Sequence, residues 1–125
     1  MLTDIFAVGL GCFLGGGLRS LLADKFNGNN KIFPYGTLLA NCLGSFLIAF
    51  FIEMSRYHQL SSLNNIILTT GFCGGLTTFS TFTLELYKYF KEQKYYVGFL
   101  YCIASVSFGF IFYLLGIIIY LIIYK

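Results

Sequence analysis

Four hydroxyl side chains and two phenylalanines lie within six residues of one another in the run Gly71-Phe72-Cys73-Gly74-Gly75-Leu76-Thr77-Thr78-Phe79-Ser80-Thr81-Phe82. The run sits midway along an uncharged segment of membrane-spanning length. Hydroxyls at that depth can replace water around an ion without burying a full charge. At about 100° per residue, Phe79 and Phe82 share one helical sector. Thr78, Thr81 and Glu85 occupy the neighbouring one, a polar strip that ends in a carboxylate. An aromatic ring is positive at its edge and negative on its face, so an edge can meet an anion while a face attracts a cation. Such an edge binds weakly, and conduction requires an ion to leave as well as enter. Two phenylalanines at this spacing also serve ordinary packing, and the residues alone leave both readings open.

Other segments supply matching groups. Asn41 is an amide in apolar surroundings, costly at membrane depth unless it is paired or faces water. It can bond a neighbouring helix or donate into a pore. Tyr101, Ser105 and Gly109 repeat every four residues along one face of the last apolar segment. The adjacent Gly74 and Gly75 weaken the helix that carries them. Carbonyls released near Gly74 and Thr77 could coordinate a small cation, as unwound helices do in transporters; a simple kink is the plainer account. Irregular backbone in a bilayer persists only where protein buries it or it lines a wet cavity.

The elements that must hold these groups are apolar helices. Of the 125 residues, 58% are hydrophobic and 10% charged, against about 25% charged in an average soluble domain. Four runs, at about 3–22, 35–52, 63–87 and 97–124, are long enough or nearly so for the roughly 20 residues of a crossing. Short connections at 25–34, 55–62 and 88–94 carry the breakers and charges. The expected fold is an all-α membrane protein forming one unit over residues 1–125, with four transmembrane helices and the third broken near its middle. Tyr95, Tyr96, Tyr120 and Tyr124 fit the interfacial aromatic belt. Gly9, Gly11, Gly15, Gly16 and Gly17 in the first segment, and Gly36, Ala40 and Gly44 in the second, let helices approach closely.

Charge and cysteine usage exclude other classes. A net charge of +3 on dispersed lysines gives no footprint for nucleic acid. The first apolar run lacks the basic leader of a cleavable signal. Cys12, Cys42, Cys73 and Cys102 stand singly and form no CxxC pair, so they read as buried thiols rather than metal ligands. With four crossings, Arg56 and Lys125 lie on one side and Lys25, Lys31, Lys88, Lys91 and Lys94 on the other. Five basic residues against two favour both termini outside.

At these motifs the chain resembles the Fluc (CrcB) family of fluoride channels. The likeness covers nearly the whole length. It rests on Gly15-Gly16-Gly17-Leu18-Arg19, on Gly36-Thr37-Leu38-Leu39-Ala40-Asn41-Cys42-Leu43-Gly44-Ser45-Phe46, and above all on Gly71 to Phe82. The resemblance implies a cell-membrane dimer of four-helix subunits inserted antiparallel, with two fluoride pores and a structural sodium ion at the interface. Backbone carbonyls of Gly74 and Thr77 would hold the sodium. Asn41, Phe79, Phe82, Ser80, Thr81, Tyr101 and Ser105 would line the pore, with Glu85 further along. Arg19 would lie near the aqueous entrance and attract anions. Fluoride would flow passively outward, since no nucleotide motif or coupling carboxylate is present. Gly109 stands where some relatives carry serine, and the lysine bias fits poorly with equal insertion in both orientations. A homodimer is the preferred assembly, and pairing with an oppositely oriented paralogue is the alternative.

Three rivals fit less well. A small multidrug transporter needs an acid deep in the first segment, where the only acid before Asp24 is Asp4 at the segment's start. A membrane enzyme needs a nucleophile with a base, and the sole histidine, His58, falls in a loop. A purely structural bundle gives no reason to gather glycines and hydroxyls at mid-membrane.

Overall fold

Long apolar runs without a breaker become uninterrupted helices. In the computed structural model, which describes residues 1–28, 33–57 and 59–124, three such helices form. They are α1 (Leu2–Phe26), α2 (Tyr35–Arg56) and a last helix, Tyr95–Tyr124, each long and apolar enough to cross a membrane. Among the described residues there is no strand. The first two helices run about one turn past the apolar stretches that announce them, because backbone hydrogen bonding continues through the polar residues at the interface. Lys31, His58 and Lys125, used above to read loops and charge balance, lie outside the described residues.

The remaining segment is interrupted. It opens with α3 (Ser62–Ile66), whose N-cap Ser61 accepts a bond from the Asn64 N–H at 3.3 Å. A π-helical stretch follows at Ile67–Cys73, then α4 (Gly74–Leu76). At the start of the widened stretch the Thr69 hydroxyl donates to the Asn65 carbonyl at 2.7 Å, competing for the acceptor that an α-turn would use. Thr77 and Thr78 are then extended, with φ/ψ of −79°/152° and −149°/123°. The chain resumes as α5 (Phe79–Lys91), and Tyr95–Tyr124 completes the set as α6.

The interruption therefore begins at Thr77, two residues after the glycine pair. Gly74 itself is helical, with φ −63° and ψ −36°. The glycines of this arm serve close approach instead. A Cβ on Gly75 would stand 2.5 Å from the Cys12 carbonyl oxygen, and one on Gly71 would stand 3.0 Å from the Gly11 Cα. Helices α1 and α4 thus meet backbone to backbone, as small residues permit in a membrane. Two β-branched threonines, the second acting as an N-cap, end one helix and begin the next.

α1 packs on α2 and on the arm formed by residues 62–76, while α6 packs on α2 and α5. The core is narrow and holds Ala40, Cys42, Ala49, Cys73, Leu76, Tyr101 and Tyr120. Cys42 and Cys73 are buried free thiols, and Cys12 and Cys102 are half-buried. Large apolar side chains such as Phe13, Leu21, Val106 and Ile122 face outward. In water that surface would drive aggregation; against lipid tails it is solvated.

Candidate functional site

The interruption between α4 and α5 frees backbone groups at membrane depth, and something must satisfy them. Asn41 on α2 satisfies two. Its Nδ2 donates to the Thr78 carbonyl at 3.1 Å, and its Oδ1 accepts from the Thr78 N–H at 2.7 Å. The amide thus replaces, from a neighbouring helix, the strand or turn partner that Thr78 lacks. The Thr78 side chain caps α5: its Oγ1 accepts from the Thr81 N–H at 3.1 Å and donates to Thr81 Oγ1 at 3.0 Å. Ser80 Oγ lies 3.3 Å from the same oxygen. Of the strip expected from helical spacing, Thr78 and Thr81 thus form a bonded cluster with Ser80 that is fixed to α2, while Glu85 lies apart from it.

Beside this cluster opens a cleft of about 290 Å³. Its polar wall is Asn41, Ser45, Thr77, Thr78 and Ser105, and its apolar wall is Phe79, Phe82 and Val106. The two phenylalanine rings are 5.8 Å apart and inclined at 38°. They differ sharply in setting, since Phe82 is 9% exposed and Phe79 76%. Ser105 Oγ is buried without a close hydrogen bond, its one interaction being a loose one with the Tyr101 hydroxyl, whose own proton goes to Glu85. A hydroxyl always has a donor to give, and leaving it unmet costs about 1–3 kcal/mol. The cleft therefore contains one weakly engaged O–H next to an amide, two threonines and an aromatic wall.

A second tier lies one to two turns along α5. Both carboxylate oxygens of Glu85 accept: Oε1 from the Thr37 hydroxyl at 2.7 Å and Oε2 from the Tyr101 hydroxyl at 2.6 Å. Thr37 in turn accepts from Asn27 Nδ2 at 3.1 Å, and Asn27 Oδ1 accepts from the Gly36 N–H at 2.6 Å. Four segments are tied at one carboxylate. Tyr101 is fully buried and packs its ring 5.2 Å from that of Phe82, so the two tiers share a wall.

The structure thus gathers Asn41, Phe79, Phe82 and Ser105 around one cleft, sets Ser80 and Thr81 on the cap behind it, and places Glu85 and Tyr101 in the tier beyond. Arg19 stands apart. It reaches from α1 to the break itself, with Nη1 3.4 Å from the Thr77 carbonyl oxygen. Thr37, Ser45 and Asn27 are further participants. Thr37, Asn41 and Ser45 follow one another at four-residue spacing, a polar stripe on α2 that the sequence displays openly. Asn27 follows the last residue of α1, and nothing in the sequence marks it.

The break also bears on a cation. An unbroken helix would give the Thr78 N–H to the Gly74 carbonyl, but that N–H is held by Asn41. The Gly74 carbonyl is therefore released, beside a glycine with open space around it. Among the described residues no group of three or more His, Cys, Asp or Glu side chains could hold a metal. Carbonyl oxygens are hard donors that suit a hard cation, so the residues present fit a small ion held by backbone alone.

Three helices of membrane-spanning length and apolarity define a multi-pass membrane protein. The model of the CrcB family, described as CrcB-like protein, Camphor Resistance (CrcB), matches residues 6–117, and the chain belongs to that family. It is 42% identical over 117 residues to the fluoride-specific ion channel FluC of Chlorobium chlorochromatii, covering 93% of this chain and 91% of that one. It is 42% identical over 95 residues to that of Acinetobacter baylyi, covering 76% and 75% of the two chains. To that of Clostridium perfringens it is 55% identical over 83 residues, 62% of each.

Proposed function

We propose that this protein is a fluoride channel and not an enzyme, and that fluoride passes through the cleft bounded by Asn41, Ser105 and the two phenylalanines. The Ser105 hydroxyl, buried beside the cleft and only loosely engaged by Tyr101, carries the reading. An anion entering the cleft meets that donor, the remaining N–H of Asn41 and the hydroxyls of the cap, which together replace lost water. Edges of Phe79 and Phe82 pass it along without holding it. Arg19 supplies positive charge at the level of the break. Glu85 is kept from the ion by the two hydroxyls that engage its oxygens. Movement is passive, and in a bacterium it would carry fluoride out of the cell.

The interrupted segment of residues 62–91 is read as a fourth crossing. The assembly is read as an antiparallel homodimer with two pores, and pairing with an oppositely oriented paralogue is the alternative. Two observations support a second copy: Phe79 is three-quarters exposed while its neighbour Phe82 is buried, and Gly74 presents an open backbone. A sodium ion would be held by the Gly74 and Thr77 carbonyls, and two copies would double those two oxygens to four. When bound, it supplies a fixed positive charge and ties the breaks together. Arg19 also donates to the Thr77 carbonyl, at 3.4 Å, so that oxygen would be shared between the guanidinium and the ion.

The test is fluoride efflux from liposomes containing only the purified protein, followed by an ion-selective electrode, with chloride as control. Rapid fluoride release without chloride is expected. Correctly assembled protein that releases neither ion, alone or with an oppositely oriented paralogue, would sink the reading.

A further inference from the structure

The two helices that wall the polar cleft, α2 and α6, also wall a second opening with other residues. This groove holds about 380 Å³. Tyr35, Leu38, Leu39 and Cys42 line it from α2, at the i, i+3, i+4, i+7 spacing of a single helical face. Phe108 and Phe112 line it from α6, one turn apart, and Phe26 lines it from the end of α1. The α2 wall covers roughly 10 Å of helix axis, from the first residue of that helix inward. The Tyr35 phenol carries the one hydroxyl among the lining groups. Cys42 is a buried free thiol, which behaves as a small hydrophobe.

The groove starts at one membrane surface. α1 ends at Phe26 and α2 begins at Tyr35, so both residues stand at the same end of the bundle. Lys25 lies beside them in the last turn of α1, with its Nζ 5.7 Å from the centre of the Phe26 ring. Its side chain is exposed, and among the described residues no carboxylate pairs with its ammonium. The neighbouring acid, Asp24, is exposed as well. Tyr35 is 55% exposed, and a tyrosine at this level offers its ring to lipid tails and its hydroxyl to headgroups. The mouth of the groove is thus cationic and hydrogen-bonding, and its length is hydrocarbon.

We propose that this groove binds one bilayer phospholipid with an anionic headgroup, drawn from the leaflet at which α1 ends. Its tail lies along α2 against Phe108 and Phe112, and its phosphate meets Lys25 and the Tyr35 hydroxyl. Apolar contact alone selects no lipid, because a tail leaving the bilayer exchanges one hydrocarbon neighbour for another. Selection comes from the charge at the mouth, where one lysine beside an anionic headgroup is worth about fivefold in affinity. The bound tail also supports α6 next to the face that carries Ser105 and Val106 into the polar cleft. The site goes beyond the channel reading and needs no ion route.

The chain contains no tryptophan, so a single introduced one is the sole reporter of its kind. Phe112→Trp and Phe108→Trp place it in the groove; Phe110→Trp places it on the same helix outside the groove. Each full-length variant is reconstituted in mixed vesicles of phosphatidylglycerol and phosphatidylcholine, with brominated tails on one lipid or the other. At equal bulk fractions, quenching in the groove is expected to favour phosphatidylglycerol about fivefold. Phe110→Trp should show no preference, and Lys25→Gln should abolish the preference in both groove variants. Equal quenching by the two lipids in the groove would overturn the proposal, as would a preference shared by Phe110→Trp or one that survives Lys25→Gln. Groove tryptophans quenched by neither lipid would also overturn it, since a second copy of the chain would then be covering the face. The readout needs no ion flux, so the lipid site and the channel reading stand or fall separately.

Discussion

The two arms of the interrupted segment are built on opposite principles. Before the break, residues 62–76 are fixed by what is missing: glycines on both sides let the backbone of this arm touch that of α1. After the break, α5 is fixed by what is added, namely a threonine cap, an amide from α2, and a carboxylate gripped by two hydroxyls. Close packing gives rigidity but leaves no room for a ligand. A bonded polar wall leaves donors that face a cleft. On the proposed reading, the face of the first arm against α1 is scaffold, the Gly74 carbonyl at its end is offered to a cation, and the second arm handles the anion, with Asn41 serving both.

The sharpest way to break this division is at Asn41. Asn41→Leu leaves the Thr78 N–H and carbonyl unpaired, a destabilisation of about 2–4 kcal/mol in thermal unfolding in detergent, with loss of fluoride efflux. Asn41→Asp can still accept from the N–H but cannot donate to the carbonyl, so it should fall between Asn41→Leu and the parent. Equal stability for all three would show that the amide does not hold the break.

The glycine arm should respond in stability alone. Gly75→Ala drives a methyl into the Cys12 carbonyl, which cannot yield, and should cost about 1–3 kcal/mol. Efflux per folded molecule should stay near that of the parent. Gly74→Ala meets nothing within the chain and should leave the fold unchanged. Any loss of assembly in Gly74→Ala therefore reports on a second copy or a bound cation. Loss of flux from folded Gly75→Ala protein would erase the distinction between the arms.

The second arm should respond in flux. Phe79→Ile and Phe82→Ile should each slow fluoride efflux by about tenfold or more, equivalent to at least 1.4 kcal/mol in barrier height. Phe82→Ile should also lower stability, because only that ring is buried. Unchanged flux in both variants would remove the ring-edge role. The smallest effect is expected at Ser105→Ala, a few-fold loss of flux from about 1 kcal/mol of lost donation, with stability close to the parent because the hydroxyl is only loosely engaged within the fold. A destabilised Ser105→Ala would mean that the hydroxyl is firmly bonded within the fold.

Much of the site was visible in the sequence because its spacing is local. Thr78, Thr81 and Glu85 are neighbours on any helix; the structure keeps Thr78 and Thr81 bonded, with Thr78 extended as the cap, and sets Glu85 in the next tier. Tyr101 and Ser105 repeat by four, yet they take different tiers, since a face of α6 several turns long meets α5 at more than one level. The break was legible in kind but not in place. Glycine weakens a helix in isolation, but here α1 packs against Gly71 and Gly75 and holds the helix through them. Asn27 was invisible, because its use depends on where α1 ends relative to Thr37.

Sequence alone determined that the chain lives in a membrane, that its glycines and hydroxyls concentrate at mid-depth, and which side chains could meet an ion. Those properties follow from hydropathy and from a helical period that needs no neighbour. Tertiary structure decided where the third apolar segment breaks, that Asn41 grips both sides of the Thr78 backbone, and that Glu85 is engaged by Thr37 and Tyr101. Each of these depends on groups from different helices arriving within hydrogen-bond distance. Only packing sets that distance, because in lipid a freed backbone group has no water to fall back on.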